Sequence, residues 1–300
     1  MHTSRAGVLY GVAAYGLWGF LPLYWLLLDD AGSVEVVAHR LVWSLAVVLV
    51  ILAVTGRLRG LARLGARAYG LLCVASVVVA ANWCVYIWAV DTNQVVEASL
   101  GYFVNPLVTI LLGVIVLRER LRRAQWVAVG TAALAVVVLT IDYGRLPWIA
   151  LALAFTFATY GFVKKKAGVG AAESLAIETA VLFVPSVAFL VWLTARGEAT
   201  FGHAGTTIDV ALVAVGLVTA VPLLCFSAAA TRVPLTTLGQ LQYLAPTINF
   251  VLGVTIFDED VPPARLVGFG LVWIALVIIT VDALRNRRRA PKVAVESMAG

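Results

Sequence analysis

Arg40, Glu97 and Glu178 stand inside long apolar stretches of this chain, and His39 stands beside the first of them. An ionisable side chain in such surroundings is costly unless it pairs or serves a solute. Each is therefore a candidate for proton coupling, for binding, or for a structural ion pair. Depth sets the expected pairing. At about 1.5 Å per residue, Arg40 and Glu178 fall roughly 10–15 Å apart along a membrane normal. Arg40 is thus expected to meet Glu97, and Glu178 to meet Lys164, Lys165 or Lys166. If a proton gradient drives the protein, Glu97 and His39 are the groups expected to titrate.

A second set of residues is polar without being charged. Ser99, Tyr102, Pro106, Thr109 and Gly113 follow one another at spacings of three and four, which places them on one helical face. Gly239, Gln242, Pro246, Asn249 and Gly253 do the same later in the chain. A polar face is expensive against lipid, so both should look inward. There they either line a cavity or let two helices approach through small residues. Pro106 and Pro246 each free a backbone carbonyl, which is tolerable where it borders a cavity or a neighbouring helix. Trp18, Asn82, Tyr86, Asn105, Tyr160, Gln240 and Tyr243 complete the cavity candidates, while Gly113 and Gly253 are read as packing positions. Trp43, Trp83 and Trp273 share the mid-depth position of Trp18. Trp25, Trp88, Trp148 and Trp192 lie near span ends and read as interface anchors.

Enzyme chemistry finds little to work with. His2 and His203 fall outside the apolar stretches, and neither a His-Glu-x-x-His nor a Gly-x-Ser-x-Gly pattern occurs. A Ser99–His39 dyad is conceivable by depth alone. No catalytic residue, metal or cofactor is expected, and no phosphate-binding Gly-x-x-x-x-Gly-Lys-[Ser/Thr] loop is present.

The elements that position these residues follow from composition. Of the 300 residues, 62% are hydrophobic and 13% charged, with a mean hydropathy of +0.98. Soluble domains sit near half apolar and a quarter charged. Lipid must therefore be the solvent, which also excludes disorder and a disulfide scaffold. Cys73, Cys84 and Cys225 lie in apolar runs and read as free thiols. A bilayer core of about 30 Å needs about 20 apolar residues per helix. Ten windows qualify: 7–28, 34–55, 69–90, 95–117, 122–141, 147–164, 174–194, 209–230, 235–257 and 262–284. Alternating strand patterns are absent, so an all-α integral membrane fold is predicted.

Most of the 22 Lys and Arg residues fall on one side of such a topology, in 57–67, 118–123, 164–166 and 285–292. The positive-inside rule then puts both termini in the cytoplasm. The basic tail from Arg285 reads as a headgroup contact and not as a nucleic-acid site.

Shifted by 140 positions, the chain matches itself. Ser99, Tyr102, Phe103, Pro106, Gly113 and Glu119 meet Gly239, Gln242, Tyr243, Pro246, Gly253 and Glu259. Spans one to five and six to ten thus read as two copies of one unit. Because five is odd, the copies enter the membrane from opposite sides. The charges agree, since Arg118-Glu119-Arg120 falls inside and Asp258-Glu259-Asp260 outside. Inverted repeats of this kind form secondary transporters with a site between the halves.

Five stretches carry a likeness to a known family: Ala14 to Gly19 (AYGLWG), Glu35 to Arg40 (EVVAHR), Asn82 to Ala89 (NWCVYIWA), Val96 to Leu107 (VEASLGYFVNPL) and Gly239 to Thr247 (GQLQYLAPT). Together they resemble the RarD family, EamA-type permeases of the drug/metabolite transporter superfamily. That resemblance implies a plasma-membrane permease with ten helices in two EamA units and a central cavity lined by spans one, three, four, six, eight and nine. It also makes efflux the default direction.

The expected organisation is a cytoplasmic N-terminus (1–6), a first repeat (7–141), a second repeat (147–284) and a basic tail (285–300). The expected function is secondary active transport of a small organic solute or drug, in contact with membrane lipid, as a monomer or homodimer. A non-transporting sensor or scaffold is the alternative, ahead of an intramembrane enzyme.

Overall fold

Apolar runs interrupted by glycine, proline and charged turns form helices throughout this computed structural model, which describes residues 4–28, 30–92, 94–144, 147–256 and 263–289. Among the described residues there are twelve α-helices and no strand. They are α1 (Arg5–Trp25), α2 (Ser33–Val54), the short α3 (Leu58–Leu61), α4 (Ala66–Asp91), α5 (Val95–Ile115), α6 (Arg123–Tyr143), α7 (Trp148–Ala167), α8 (Ala171–Ala195), α9 (Thr206–Ala230), α10 (Leu235–Gln242), α11 (Leu244–Thr255) and α12 (Pro263–Arg289). Each of the ten apolar windows falls on helix. Six helical segments, 5–28, 33–54, 66–89, 123–142, 171–195 and 206–230, are long and apolar enough to cross a membrane. Shorter apolar stretches cover 101–115 and 266–282. Large side chains such as Leu9, Val50, Ile141, Val184 and Val191 face outward. An apolar exterior on this scale requires lipid around it.

The window 235–257 reads as one helix in sequence and is two in space. α10 ends at Gln242 and α11 starts at Leu244, two residues ahead of Gln242's would-be partner in the helical ladder, Pro246. Proline has no N–H to give to the Gln242 carbonyl, and its ring crowds that carbonyl. The break therefore falls one turn before it. Pro106 sits inside α5 without dividing it.

Packing runs mainly between the two halves of the chain. α1 packs on α9 and α11, α2 on α8 and α9, α4 on α7 and α8, α5 on α7 and α10, and α6 on α12. Exchanging α1, α2, α4, α5 and α6 for α7, α8, α9, α10–α11 and α12 leaves this set of neighbours unchanged. Small residues set the closest approaches. A Cβ on Gly239 would come within 2.8 Å of the Pro106 carbonyl oxygen, and one on Gly113 within 3.1 Å of Leu235 Cβ. Gly253 is buried in α11. These glycines therefore serve packing, as their small size requires.

Three carboxylates hold the turns. Buried Glu35 accepts from the backbone N–H groups of Thr200 (2.9 Å) and Phe201 (3.0 Å). Glu173, 138 positions later, pairs with Arg57 at 2.8 Å. Glu119 accepts from Leu235 N and Thr236 N, both at 2.9 Å, and so caps the start of α10 with a negative charge where the helix dipole is positive. Replacing Glu119 with alanine is expected to cost about 1–2 kcal/mol and lower the thermal midpoint of the detergent-solubilised protein. Glu119→Gln should retain part of that loss, because its amide still accepts. A midpoint unchanged in Glu119→Ala would show that the cap is idle. The equivalent acidic turn, Asp258 to Asp260, lies outside the described residues.

Candidate functional site

One cavity of about 340 Å³ lies between the halves, a size within the range of small-molecule sites. Each helix offers it a single stripe. Tyr15, Trp18, Pro22 and Trp25 of α1 recur at spacings of three and four. Val79, Asn82, Trp83 and Tyr86 come from α4, and Ala98, Gly101, Tyr102 and Asn105 from α5. Leu153 and Phe157 of α7, Leu223 of α9, Gln242 of α10, and Ala245 and Asn249 of α11 close the ring. Arg40 is the residue α2 contributes. The lining is thus mainly apolar and aromatic, with a few polar groups placed on it.

Those groups are held in position. Asn82 Nδ2 donates to the Leu153 carbonyl at 2.9 Å and to Thr156 Oγ1 at 2.8 Å, tying α4 to α7. Gln242 Oε1 accepts from Thr109 Oγ1 at 3.3 Å, and its side chain also meets the Tyr15 hydroxyl. The hydroxyls of Tyr86 and Tyr102 lie close enough to interact electrostatically. The side-chain oxygens Asn105 Oδ1 and Asn249 Oδ1 are buried without a hydrogen-bond partner among the described residues.

Arg40 is fixed from three directions. Its Nε–H donates to Thr219 Oγ1 at 3.1 Å. The guanidinium carbon lies 4.9 Å from the Trp83 ring centre and 5.5 Å from that of Trp25. Trp25 is therefore a cavity residue and not only an interface anchor. The expected partner Glu97 lies, with Ser99, among residues whose side chains are outside the described set. Among the described residues Arg40 meets a hydroxyl and two rings.

Below the cavity the chain closes. Tyr15, Trp18, Phe157, Tyr160 and Phe226 form an aromatic layer, with Tyr160 and Phe226 stacked at 5.6 Å and 8°. One turn further along α7, Lys164 Nζ donates to Glu178 Oε1 at 2.6 Å and to the Tyr160 hydroxyl at 3.0 Å. Tyr160 in turn donates to Glu178 Oε2 at 2.8 Å, and Ser174 donates to Oε1 at 2.6 Å. Lys164 and Glu178 are 2% and 3% exposed, so this is a sealed ion pair with both carboxylate oxygens hydrogen-bonded. Lys165 reaches instead to the Val233 carbonyl at the α9–α10 turn.

Several sequence candidates sit elsewhere. Tyr160 belongs to the Glu178 network and lines a smaller cavity of about 10 Å³ that it shares with Arg40 and Glu178. The two charges that depth had separated thus border one water-sized space. Tyr243 is packed in the apolar cluster of Phe103, Leu107 and Ala132, away from the main cavity. Gln240 is buried outside the lining. His39 faces the α8–α9 turn: its Nδ1 accepts from Trp43 Nε1 at 3.1 Å, Nε2 lies 4.0 Å from Glu35, and the Phe201 ring lies 5.0 Å away, tilted by 42°. For Tyr160, Gln240 and Tyr243 the spacing was compatible with two helix rotations, and packing selected the one away from the main cavity. Tyr15 and Trp25 were missed as lining residues, although their three-four spacing with Trp18 and Pro22 was available.

An EamA-like transporter family model matches the chain twice, over residues 5–141 and 146–281. A protein RarD of Streptomyces exfoliatus is 58% identical over 292 residues, spanning 96% of this chain and 92% of that one. A protein RarD of Escherichia coli K12 is 41% identical, spanning 96% and 98%. A chloramphenicol-sensitive protein RarD of Pseudomonas aeruginosa is 30% identical, spanning 96% and 98%. A solved crystal structure superposes with a TM-score of 0.75 at 20% identity, covering 94% of this chain and 100% of the other, so the fold is shared.

Proposed function

The chain belongs to the EamA-like transporter family, in its RarD branch, and from that premise we propose that it is a secondary active permease that exports a small organic solute across the plasma membrane. All ten helical windows cross the bilayer in this reading, with residues 7–141 and 147–284 as two inverted units, both termini cytoplasmic and the basic segment 285–300 on the inner headgroups. The observation that carries it is the cavity of about 340 Å³ built jointly by both halves and closed at one end. A site placed between two such units becomes accessible alternately when one rocks against the other. The exchange-symmetric packing supports the repeat, as do Glu35 and Glu173, which clasp turns of opposite halves. In the proposed orientation the cavity occupies the outer half, and the aromatic layer with the Lys164–Glu178 pair seals the inner half.

The test is flux. Proteoliposomes holding the purified protein are expected to release a bound solute, chosen by thermal-shift screening of amphenicols, nucleosides and amino acids. Filling the cavity with Asn249→Trp should abolish both the thermal shift and the flux while the protein stays monodisperse. Flux that persists through a filled cavity would move the route elsewhere. Absence of flux for every stabilising ligand would favour the non-transporting sensor.

A further inference from the structure

We propose that the cavity selects an organic anion, whose carboxylate is held by Arg40 and whose body lies along the aromatic and apolar wall beside Asn105 and Asn249. The proposal deepens the permease reading and rests on it for the solute's route, though not for its binding.

The argument begins with charge. α2 supplies one side chain to the cavity, and it is the cationic one. The smaller cavity behind it adds Glu178, but that carboxylate is already engaged by Lys164 at 2.6 Å. Half-buried Arg40 and the sealed Lys164–Glu178 pair together hold one positive charge in excess among these described residues. A charge withdrawn from water is poorly compensated by rings and one hydroxyl alone. Trp25 and Trp83 attract the guanidinium but do not neutralise it. What they do is orient it. With Nε spent on Thr219, the Nη edge is left without a hydrogen-bond partner among the described residues. That edge matches a carboxylate, whose two oxygens accept two parallel N–H groups.

The surroundings fit the rest of such a molecule. Tyr86 and Tyr102 bring hydroxyls close enough to Arg40 to interact with its charge. One turn along α5 from Tyr102, the Asn105 side chain lines the same space, and Asn249 does so from α11. Leu153 and Phe157 leave an apolar wall between the two ends.

Binding to the full-length protein in detergent tests this, using 4-hydroxyphenylacetate, its neutral amide and the cationic amine tyramine as probes, read by quenching of tryptophan fluorescence. The carboxylate is expected to bind at least about tenfold more tightly than the amide, and tyramine most weakly. Arg40→Gln should erase the preference, and Arg40→Lys should keep part of it, because the charge remains while the paired geometry is lost. Should Arg40→Gln fail to fold, the three probes on the unaltered protein decide the matter. Equal or tighter binding of the amide or the amine, no carboxylate binding at millimolar concentration, or a preference that survives in folded Arg40→Gln overturns the proposal. A protein that binds the carboxylate but moves no solute through proteoliposomes keeps the anion site and loses the permease reading. One that transports neutral solutes and ignores the carboxylate does the reverse.

Discussion

Glu178→Ala is expected to be the most damaging single substitution at the closed end of the cavity. It strands the Lys164 ammonium, 2% exposed, with only the Tyr160 hydroxyl as partner. Breaking a sealed ion pair from one side costs about 3–5 kcal/mol. The thermal midpoint in detergent should fall steeply, and yield with it. Removing both charges together is a different experiment. In Lys164→Met/Glu178→Leu neither charge is left unpaired, although the Tyr160 and Ser174 hydroxyls lose their acceptor at about 1–3 kcal/mol each. The double variant should therefore be more stable than Glu178→Ala. It should also transport more slowly. Opening this end admits water, which solvates a separated ion pair but is unfavourable against exposed Met and Leu at about 25 cal/mol per Å². A double variant as unstable as Glu178→Ala would show that the network is valued for something other than charge pairing. A double variant with unchanged flux would show that this end does not open during transport.

Gly216→Ala should be nearly as disruptive, although it adds a single methyl group. A Cβ there would overlap Trp43 Cβ and lie 2.8 Å from the Ser44 backbone nitrogen. α2 and α9 touch at this point, and the Ser44 hydroxyl donates to the Gly216 carbonyl at 3.0 Å. Backbone cannot yield as a side chain can, so the helices must part. Overpacking costs about 1–3 kcal/mol, and the lost hydrogen bond adds about 1 kcal/mol. Arg40 lies one turn from Trp43, so carboxylate binding should weaken too. Gly16→Ala is the matched control, because a Cβ at that position meets nothing within 4 Å. There the gain in helix propensity should stabilise the protein by about 0.5–1 kcal/mol. Equal effects at the two positions would refute close approach as the reason for Gly216.

The sequence alone determined the solvent, the helical class and the positions of the helices, because burying backbone in lipid leaves apolar runs few alternatives. It also determined much of the site. The polar faces of spans four and nine pointed to Tyr102, Gln242 and Asn249, all of which line the cavity. The break in span nine was not legible, since Pro246 divides that span while Pro106 leaves α5 whole. Rotation was legible only where a face was polar. A membrane helix is apolar toward lipid and toward its neighbours alike, so Tyr160, Gln240 and Tyr243 could not be assigned a side from spacing. Only the tertiary structure decided partners. Arg40 meets Thr219 across 179 positions, Ser44 meets Gly216 across 172, and Glu119 caps α10 across 116. No local pattern encodes such contacts, because they arise when helices from opposite halves pack. Arg40, the charged group of the cavity, stood out in the sequence, while its neighbours Thr219, Trp25 and Trp83 did not.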